Sequence, residues 1–258
     1  MSSRLISAAS SPNDNEVYPT MAEPLIKLSG LTSGYGDVQV LWGIDLEVRE
    51  GEIACIVGSN GAGKTTLLRT ISGLVQATGG SIIYDGNDIL RAQPDVVVGQ
   101  GIAHVPEARR LFRGLSVRDN ILLGAYLRDD RQEIFADLEL IYNLFPILKE
   151  REKQDASTLS GGEQQMCAFG RGIISRPRLL MIDEFSLGLA PQAVERLSEA
   201  LIEINKTGIT MLLVEQDVVT AFEVAHYAFV IETGRVTLNG STKELSDNPM
   251  IRQAYMGI

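Results

Sequence analysis

The chain has 258 residues, of which 45% are hydrophobic and 22% are charged, a composition typical of a globular protein with a sizeable core. Its net charge of −10 argues against a nucleic-acid-binding surface, which would need a basic patch. Its two cysteines argue against a disulfide framework, and no apolar run reaches the ~18–20 residues of a membrane span. Because the N-terminus also lacks the pattern of a secretory signal, we expect a cytoplasmic chain that reaches any membrane through a partner.

The first 23 residues differ in composition from the rest. They are rich in Ser, Asn and Pro and lack hydrophobic periodicity, which predicts a disordered tail over residues 1–23 and an ordered domain over residues 24–258. Met21 is an alternative start of translation, and the sequence leaves this open. Leu25–Leu31 and Val40–Val48 then alternate apolar and polar side chains, which predicts two half-buried strands of antiparallel character.

The segment from residue 53 to residue 71 carries the most informative motif. Ile53–Val57 predicts a short buried strand, and Thr66–Ile71 predicts a helix. Between them, Gly58–Thr65 fits G-x-x-x-x-G-K-[ST], a loop whose backbone N–H groups bind phosphate oxygens. Lys64 can reach the β- and γ-phosphates of a nucleotide, and the Thr65 hydroxyl can bind Mg²⁺. The predicted nucleotide-binding residues here are Gly58, Ser59, Asn60, Gly61, Ala62, Gly63, Lys64, Thr65 and Thr66. A glycine-rich turn without a ligand is the alternative, which the flanking strand and helix disfavour.

Glycine and proline residues divide the next part of the chain. Gly79-Gly80 predicts the end of the first helical region, Ser81–Tyr84 a short strand and Asp85-Gly86 a hairpin turn. Gly101–Val105 predicts another short strand, which Pro106 closes.

A helical insertion is expected after this strand. Ser116, with Asp119 three residues later, predicts a helix start by an approximate capping box. One helical face then consists of Ile134, Leu138, Ile141, Tyr142 and Phe145. We expect Pro146 to end that helix and the charged segment Lys149–Gln154 to form a solvated loop. Residues 107–155 are thus predicted to be a helical insertion between strands.

A second candidate for phosphate chemistry follows the apolar segment Leu179–Ile182. This segment predicts a buried strand, and Asp183 and Glu184 come directly after it. Asp183 could hold Mg²⁺, and Glu184 could polarise a water molecule that attacks the γ-phosphate. The alternative is a pair of exposed carboxylates that cap a loop. The phosphate-binding loop at Gly58–Thr65 favours the first interpretation.

The C-terminal part of the chain alternates between helix and strand. One helical face is formed by Val194, Leu197, Leu201 and Ile204. Ile209–Val214 predicts a strand, Val218–His226 a helix, and Tyr227–Ile231 with Arg235–Leu238 a closing hairpin. Ser241 and Glu244 form a capping box for the last helices. Because strands alternate with helices through the middle of the chain, we expect a parallel sheet.

The segment Leu159–Gln165 combines a capping box with two glycines. Ser160 and Glu163 have the spacing of a capping box, which explains these two residues as an ordinary helix start. It does not explain Gly161 and Gly162, which weaken a first helical turn and leave backbone N–H groups open to an anion.

The segment Leu159–Gln165 matches the signature motif of the ABC ATPases. The chain from about residue 25 onward resembles this family. The resemblance implies an α/β fold: a P-loop NTPase (RecA-like) core with a parallel sheet, an N-terminal antiparallel β subdomain and an α-helical subdomain inserted at about residues 107–170. It also implies a head-to-tail dimer of nucleotide-binding domains that binds ATP and Mg²⁺. Each ATP would lie between the phosphate loop of one subunit and the signature motif of the other, here Ser160, Gly161, Gly162 and Glu163.

The resemblance extends to single residues and to one branch of the family. Tyr35 matches the aromatic residue that stacks on adenine, Glu107 takes the place of a glutamine that serves at the Mg²⁺ site, and Gln216 takes the place of a catalytic histidine. Segments around Glu107 and Gln216, and Ser186–Pro191, are similar to the LivF-like ATPase subunit of branched-chain amino acid importers. There the subunit pairs with a second ATPase on two membrane permeases that a periplasmic binding protein feeds. A peripheral position on the cytoplasmic face of the membrane would follow.

Three other functions are compatible with parts of this pattern. A related importer of urea or short amides has similar ATPases, so this alternative stays open. A soluble ABC protein that acts on ribosomes or DNA would have two fused ATPase domains or a basic extension, and this chain has neither pattern. Lys64, Asp183 and Glu184 argue against a regulator that binds nucleotide without hydrolysing it.

Overall fold

The computed structural model describes residues 23–256, so the predicted tail lies outside the described residues apart from Glu23. The strands are β1 (Ile26–Tyr35), β2 (Val38–Val48), β3 (Ile53–Val57), β4 (Ala77–Tyr84), β5 (Asn87–Asp88), β6 (Ile102–Val105), β7 (Leu179–Asp183), β8 (Thr210–Glu215), β9 (Tyr227–Glu232) and β10 (Arg235–Ser241). The helices are α1 (Lys64–Ile71), α2 (Pro94–Gly99), α3 (Val117–Leu122), α4 (Arg131–Leu144), α5 (Pro146–Glu150), α6 (Gly161–Ile173), α7 (Pro191–Asn205), α8 (Val218–Val224), α9 (Thr242–Ser246) and α10 (Pro249–Ile251).

The strands form two sheets of different character. The first is antiparallel, with the order β2-β1-β4-β5. The second has the order β10-β9-β3-β8-β7-β6, and its strands from β9 to β6 are parallel. An antiparallel N-terminal unit followed by a parallel sheet confirms the α/β fold expected from the sequence. The helices from α3 to α6 lie in the chain between β6 and β7.

The central strand β3 contributes to two hydrophobic clusters at once. Successive side chains of a strand point to opposite faces of its sheet. Ala54 and Ile56 belong to a cluster with the apolar side chains of β1, β2 and α1. Cys55 and Val57 belong to a cluster with the helices from α3 to α8. Both faces of the parallel sheet are therefore covered, which explains why every residue of β3 is buried.

The structure differs from the predicted elements at three places. Gly79 and Gly80 do not end a helix: α1 ends at Ile71, and both glycines lie in β4. A methyl group on Gly80 would lie 2.5 Å from the carbonyl oxygen of Gly30, so this glycine permits a close approach of β1 and β4. The helix α2 was not predicted. Pro146 does end α4, but it also occupies the first turn of α5, which extends into the predicted loop.

A charge cluster fixes the position of α4. Nη1 of Arg128, whose side chain is 11% exposed, donates to Oδ2 of Asp137 at 2.6 Å and to the carbonyl oxygen of Ile174, also at 2.6 Å. Nε of Arg176 donates to the same Asp137 oxygen at 2.7 Å. Asp137 thus joins α4 to both arginines and, through Arg128, to the C-terminal end of α6.

We expect Asp137→Ala to lower the free energy of unfolding by about 2 kcal/mol, because two guanidinium groups lose a charged acceptor and one of them is nearly buried. The matched control in α4 is Glu139→Ala. Glu139 pairs with Lys149 at 2.5 Å, but both side chains are more than half exposed, and we expect a loss below about 0.5 kcal/mol. Urea unfolding of both variants measures the difference. Equal losses would contradict the assignment.

No helix within residues 23–256 combines the length and the apolar character needed to cross a membrane.

Candidate functional site

The Gly58–Thr65 loop connects β3 to α1, as the sequence predicts. The glycines of this loop are required for two different structural reasons. A methyl group on Gly58 would lie 2.2 Å from the carbonyl oxygen of Ile231, so no side chain fits there. Gly61 and Gly63 have φ values of +80° and +106°, which L side chains rarely adopt. The loop therefore brings bare backbone to the N-terminal end of α1, the arrangement that binds phosphate.

Lys64 supplies the positive charge of this loop. Its side chain is 4% exposed, and Nζ donates to the carbonyl oxygens of Gly58 at 2.9 Å and Ser59 at 3.3 Å. Oε1 of Glu184 lies 3.8 Å from Nζ, outside hydrogen-bond distance. The ammonium group is thus held in place by two neutral carbonyls and by a long ion pair with Glu184.

Thr65 and Asp183 provide two side-chain oxygens that could bind a metal ion, next to Lys64. The Thr65 hydroxyl donates to Oδ1 of Asp183 at 3.2 Å, and Asp183 is 1% exposed at the end of β7. Burial raises the pKa of Asp183 to about 6; the hydrogen bond from Thr65 opposes this rise, and the nearby Glu184 and Glu107 add to it. A hydroxyl and a buried carboxylate are ligands that Mg²⁺ prefers, and a cation here would relieve the carboxylate charge. These residues therefore fit a Mg²⁺ ion.

Glu184 has an unusual backbone conformation. Its φ is +50°, in the left-handed region that non-glycine residues avoid. Its N–H donates to the carbonyl oxygen of Val214 at 2.9 Å, and the next side chain, Phe185, is fully buried. The Glu184 side chain itself is 12% exposed and reaches the site from the end of β7.

One cavity of about 510 Å³, the phosphate cavity, is lined by half of the predicted site residues. Its lining consists of Val40, Asn60, Gly61, Gly63, Lys64, Thr65, Thr66, Glu107, Glu184, Leu187 and Gln216. Asp183 lies behind Thr65, and Glu107 and Gln216 are exposed on the wall. The volume suits a small-molecule ligand. The cavity combines the phosphate-binding loop with the two side chains predicted to act in hydrolysis.

Two predicted parts of the site lie elsewhere. Ser160, Gly161, Gly162 and Glu163 line a second cavity of about 400 Å³ beside α7, and Ser160 with Glu163 forms the predicted capping box of α6. Tyr35 is 46% exposed and lines neither cavity; its hydroxyl accepts a hydrogen bond from Nη1 of Arg69 at 3.4 Å. Within the described residues, the phosphate loop and the signature motif therefore do not form one site.

Glu215 and Ser186 were not predicted from the sequence as residues of the site. Glu215 is 1% exposed at the end of β8, and its carboxylate accepts hydrogen bonds from Ser186. The signal was present, because Glu215 directly follows the apolar run Met211–Val214 and an acidic residue at the end of a buried strand is unusual. Burial raises the pKa of Glu215 to about 7, opposed by hydrogen bonds from Ser186 and Gln216, with Glu184 adding to the rise.

This raised pKa predicts a pH dependence of stability. Between the usual carboxyl pKa and about pH 7, the folded state binds more protons at Glu215 than the unfolded state, so its contribution to stability falls as the pH rises. From pH 5 to pH 8 we expect the free energy of unfolding of the wild type to fall by on the order of 1–3 kcal/mol relative to that of Glu215→Gln. Urea unfolding across this range measures both slopes. Parallel slopes would contradict the prediction.

The comparisons with known proteins agree with this geometry. Residues 41–186 match the family model for the ABC transporter. The high-affinity branched-chain amino acid transport ATP-binding protein BraG of Pseudomonas aeruginosa is 40% identical over 90% of this chain and 100% of that protein. The probable branched-chain amino acid transport ATP-binding protein LivF of Archaeoglobus fulgidus is 32% identical over 91% of this chain and 99% of that protein.

A solved structure shares the fold. The structure of cbiO1 from Clostridium perfringens, part of the ABC transporter complex cbiONQ, superposes with a TM-score of 0.79 at 26% identity, over 90% of this chain and 95% of that one. Family model, relatives and fold agree with the resemblance identified from the motifs. The chain belongs to the ABC transporter family, of which it is an ATP-binding member.

Proposed function

We propose that this chain is the ATP-hydrolysing subunit that energises an ABC importer of branched-chain amino acids. The observation that carries the proposal is the 40% identity to BraG over the whole of that protein, together with a cavity lined by the glycine loop, Lys64 and Glu184. LivF of Archaeoglobus fulgidus, also named for branched-chain amino acid transport, supports the same substrate class.

The residues of the phosphate cavity suit the hydrolysis of ATP. Backbone N–H groups of the loop, the N-terminal end of α1 and Lys64 bind the β- and γ-phosphates. Thr65 and Asp183, with Glu107 on the wall of the cavity, would hold Mg²⁺, which would supply positive charge to the phosphates when bound. Glu184 accepts a proton from the water whose oxygen bonds to the γ-phosphorus, while the bond from that phosphorus to the oxygen of ADP breaks. Gln216 donates an amide hydrogen bond to the γ-phosphate.

The separation of the two cavities supports a site completed by a second subunit. The signature residues Ser160–Glu163 would contact the ATP held by the loop of a partner, which is a second ABC ATPase or, in isolation, another copy of this chain. Tyr35 would stack on adenine at the open side of the loop. The helical subdomain, residues 107–170, would dock on two membrane permeases, which places the chain at the cytoplasmic face. A periplasmic binding protein would contribute indirectly.

The neutral side chain of Gln216 predicts slow hydrolysis of ATP at the site formed on this chain's phosphate loop. A neutral amide cannot supply the positive charge that an imidazolium can offer the γ-phosphate. We expect Gln216→His to raise the turnover of the site formed on this chain's loop, by roughly 3- to 10-fold, with ATP affinity nearly unchanged. ATP hydrolysis by the assembled transporter measures this. An unchanged turnover would show that the glutamine does not limit the rate.

Reconstitution tests the whole proposal. The chain is assembled in proteoliposomes with the permeases, second ATPase and binding protein encoded by neighbouring genes. We expect ATP-dependent accumulation of leucine, isoleucine and valine, and none with Lys64→Met. Accumulation of urea or acetamide in their place would establish the alternative importer. Hydrolysis without uptake of any of these solutes would contradict an importer role.

A further inference from the structure

Glu215 is a buried carboxylate that lines neither of the two cavities described above. It accepts three hydrogen bonds: from the Ser186 N–H at 2.9 Å, from the Ser186 hydroxyl at 2.9 Å and from the Gln216 N–H at 3.3 Å. All three partners can donate, and an ionised carboxylate only accepts, so the set is matched. A buried carboxylate is costly unless it is satisfied in this way, which indicates that the fold retains this group for its contacts.

The three donors belong to the two segments that carry the hydrolytic groups. Ser186 follows Glu184 by two residues, and Gln216 follows Glu215 directly. The Glu184 N–H donates to the carbonyl oxygen of Val214. Val214 and Glu215, consecutive in β8, thus hold the chain on both sides of Phe185.

Such restraint is needed because Glu184 is in the left-handed conformation. For a non-glycine residue this conformation is unfavourable and persists only where the surroundings enforce it. The Val214 carbonyl fixes the backbone before Phe185, at Glu184, and Glu215 fixes the backbone after Phe185, at Ser186. The same carboxylate sets the backbone of Gln216, on the other wall of the cavity.

We infer that Glu215 is a positioning residue. It fixes the positions of Glu184 and Gln216 relative to each other on the wall of the phosphate cavity. It acts through Ser186 and the Gln216 N–H rather than on ATP itself. The inference rests on the proposed hydrolysis of ATP at this cavity, and it assigns a role in the reaction to a side chain that does not touch the substrate.

Two substitutions loosen this contact without opening a large void. Glu215→Gln replaces one acceptor oxygen with an NH₂ group that faces donors, and Ser186→Ala removes the hydroxyl and leaves the backbone N–H. In contrast to Ser186→Ala, Ser186→Thr keeps a hydroxyl at this position. The matched control is Thr210→Val, at the other end of β8, where the buried Thr210 hydroxyl accepts a hydrogen bond from the Gly51 N–H at 2.9 Å.

Steady-state hydrolysis and equilibrium ATP binding test the inference. We expect Glu215→Gln and Ser186→Ala to lower kcat by roughly 10- to 100-fold, with KM and the Kd for ATP within about twofold of wild type. Ser186→Thr should recover most of kcat, and Thr210→Val should lower the unfolding midpoint but not kcat. In a Glu184→Gln background, Glu215→Gln should cause a smaller further loss than it causes alone, because part of its effect acts through Glu184.

Three results would overturn the inference: an unchanged kcat in folded Ser186→Ala and Glu215→Gln, an equal kcat loss in Thr210→Val, or a full additional loss in the Glu184→Gln background. A wild-type chain that binds ATP but does not hydrolyse it in the assembled transporter would instead overturn the proposed function. The two failures are therefore distinguishable.

Discussion

Glu184→Gln is expected to lower the kcat of ATP hydrolysis by roughly 10²- to 10⁴-fold, the range typical for the loss of a general base. The amide nearly matches the carboxylate in shape but cannot accept the proton of the attacking water. Lys64 is held by the carbonyls of Gly58 and Ser59, so the loop should keep its form and ATP should still bind. We therefore expect a stable complex of two ATP-bound subunits.

The measurement combines phosphate release with gel filtration in the presence and absence of ATP. Glu195→Gln is the matched control, because Glu195 is an exposed carboxylate on α7 that does not line the phosphate cavity. It should hydrolyse ATP like the wild type. A wild-type rate in Glu184→Gln would remove Glu184 from its assigned role.

Lys64→Met is expected to weaken ATP binding by about 10- to 100-fold, the equivalent of one or two hydrogen bonds to a charged group. Methionine has a similar length but no charge. It also leaves the carbonyls of Gly58 and Ser59 without their donor, so the loop itself should become less ordered. Calorimetric titration with a non-hydrolysable ATP analogue measures the affinity.

The control for this prediction is Lys27→Met. Lys27 lies in β1, and its side chain is 53% exposed in a 3.9 Å pair with Glu47. The affinity for the analogue should stay at the wild-type value. If Lys64→Met bound the analogue as tightly as the wild type does, the phosphate contact assigned to Lys64 would be wrong.

The features predicted correctly from the sequence are those that short segments encode. The strand β3, the glycine loop and α1 follow one another within 19 residues, and their spacing alone places Lys64 at the N-terminal end of α1. The capping boxes at Ser160 and Ser241 also depend on residues three apart, and both are present. Local geometry decides such elements, so no tertiary contact was needed to predict them.

The features of the candidate site that were missed depend on contacts between distant segments. Ser186 and Glu215 are 29 residues apart and meet only when β7 and β8 pair. After Glu107, three consecutive non-glycine residues, Ala108 to Arg110, have positive φ. The Arg171 guanidinium of α6 donates to the carbonyl oxygens of two of them, at 2.7 and 3.0 Å. Packing of this kind overrides local preference, so the sequence shows at most an acidic residue after a buried strand, as at Glu215, and not the contact that this residue makes.

A subunit-mixing experiment tests the central claim, that the phosphate loop of one subunit and the signature motif of another form one ATP site. Lys64→Met disables the loop, and Ser160→Arg disables the signature motif, so each variant alone should be inactive. A mixed dimer would contain one intact site. We expect an equimolar mixture to recover roughly a quarter of the wild-type ATPase activity, because random pairing makes half of the dimers mixed and each has one of two sites intact. A mixture as inactive as the separate variants would contradict the shared site.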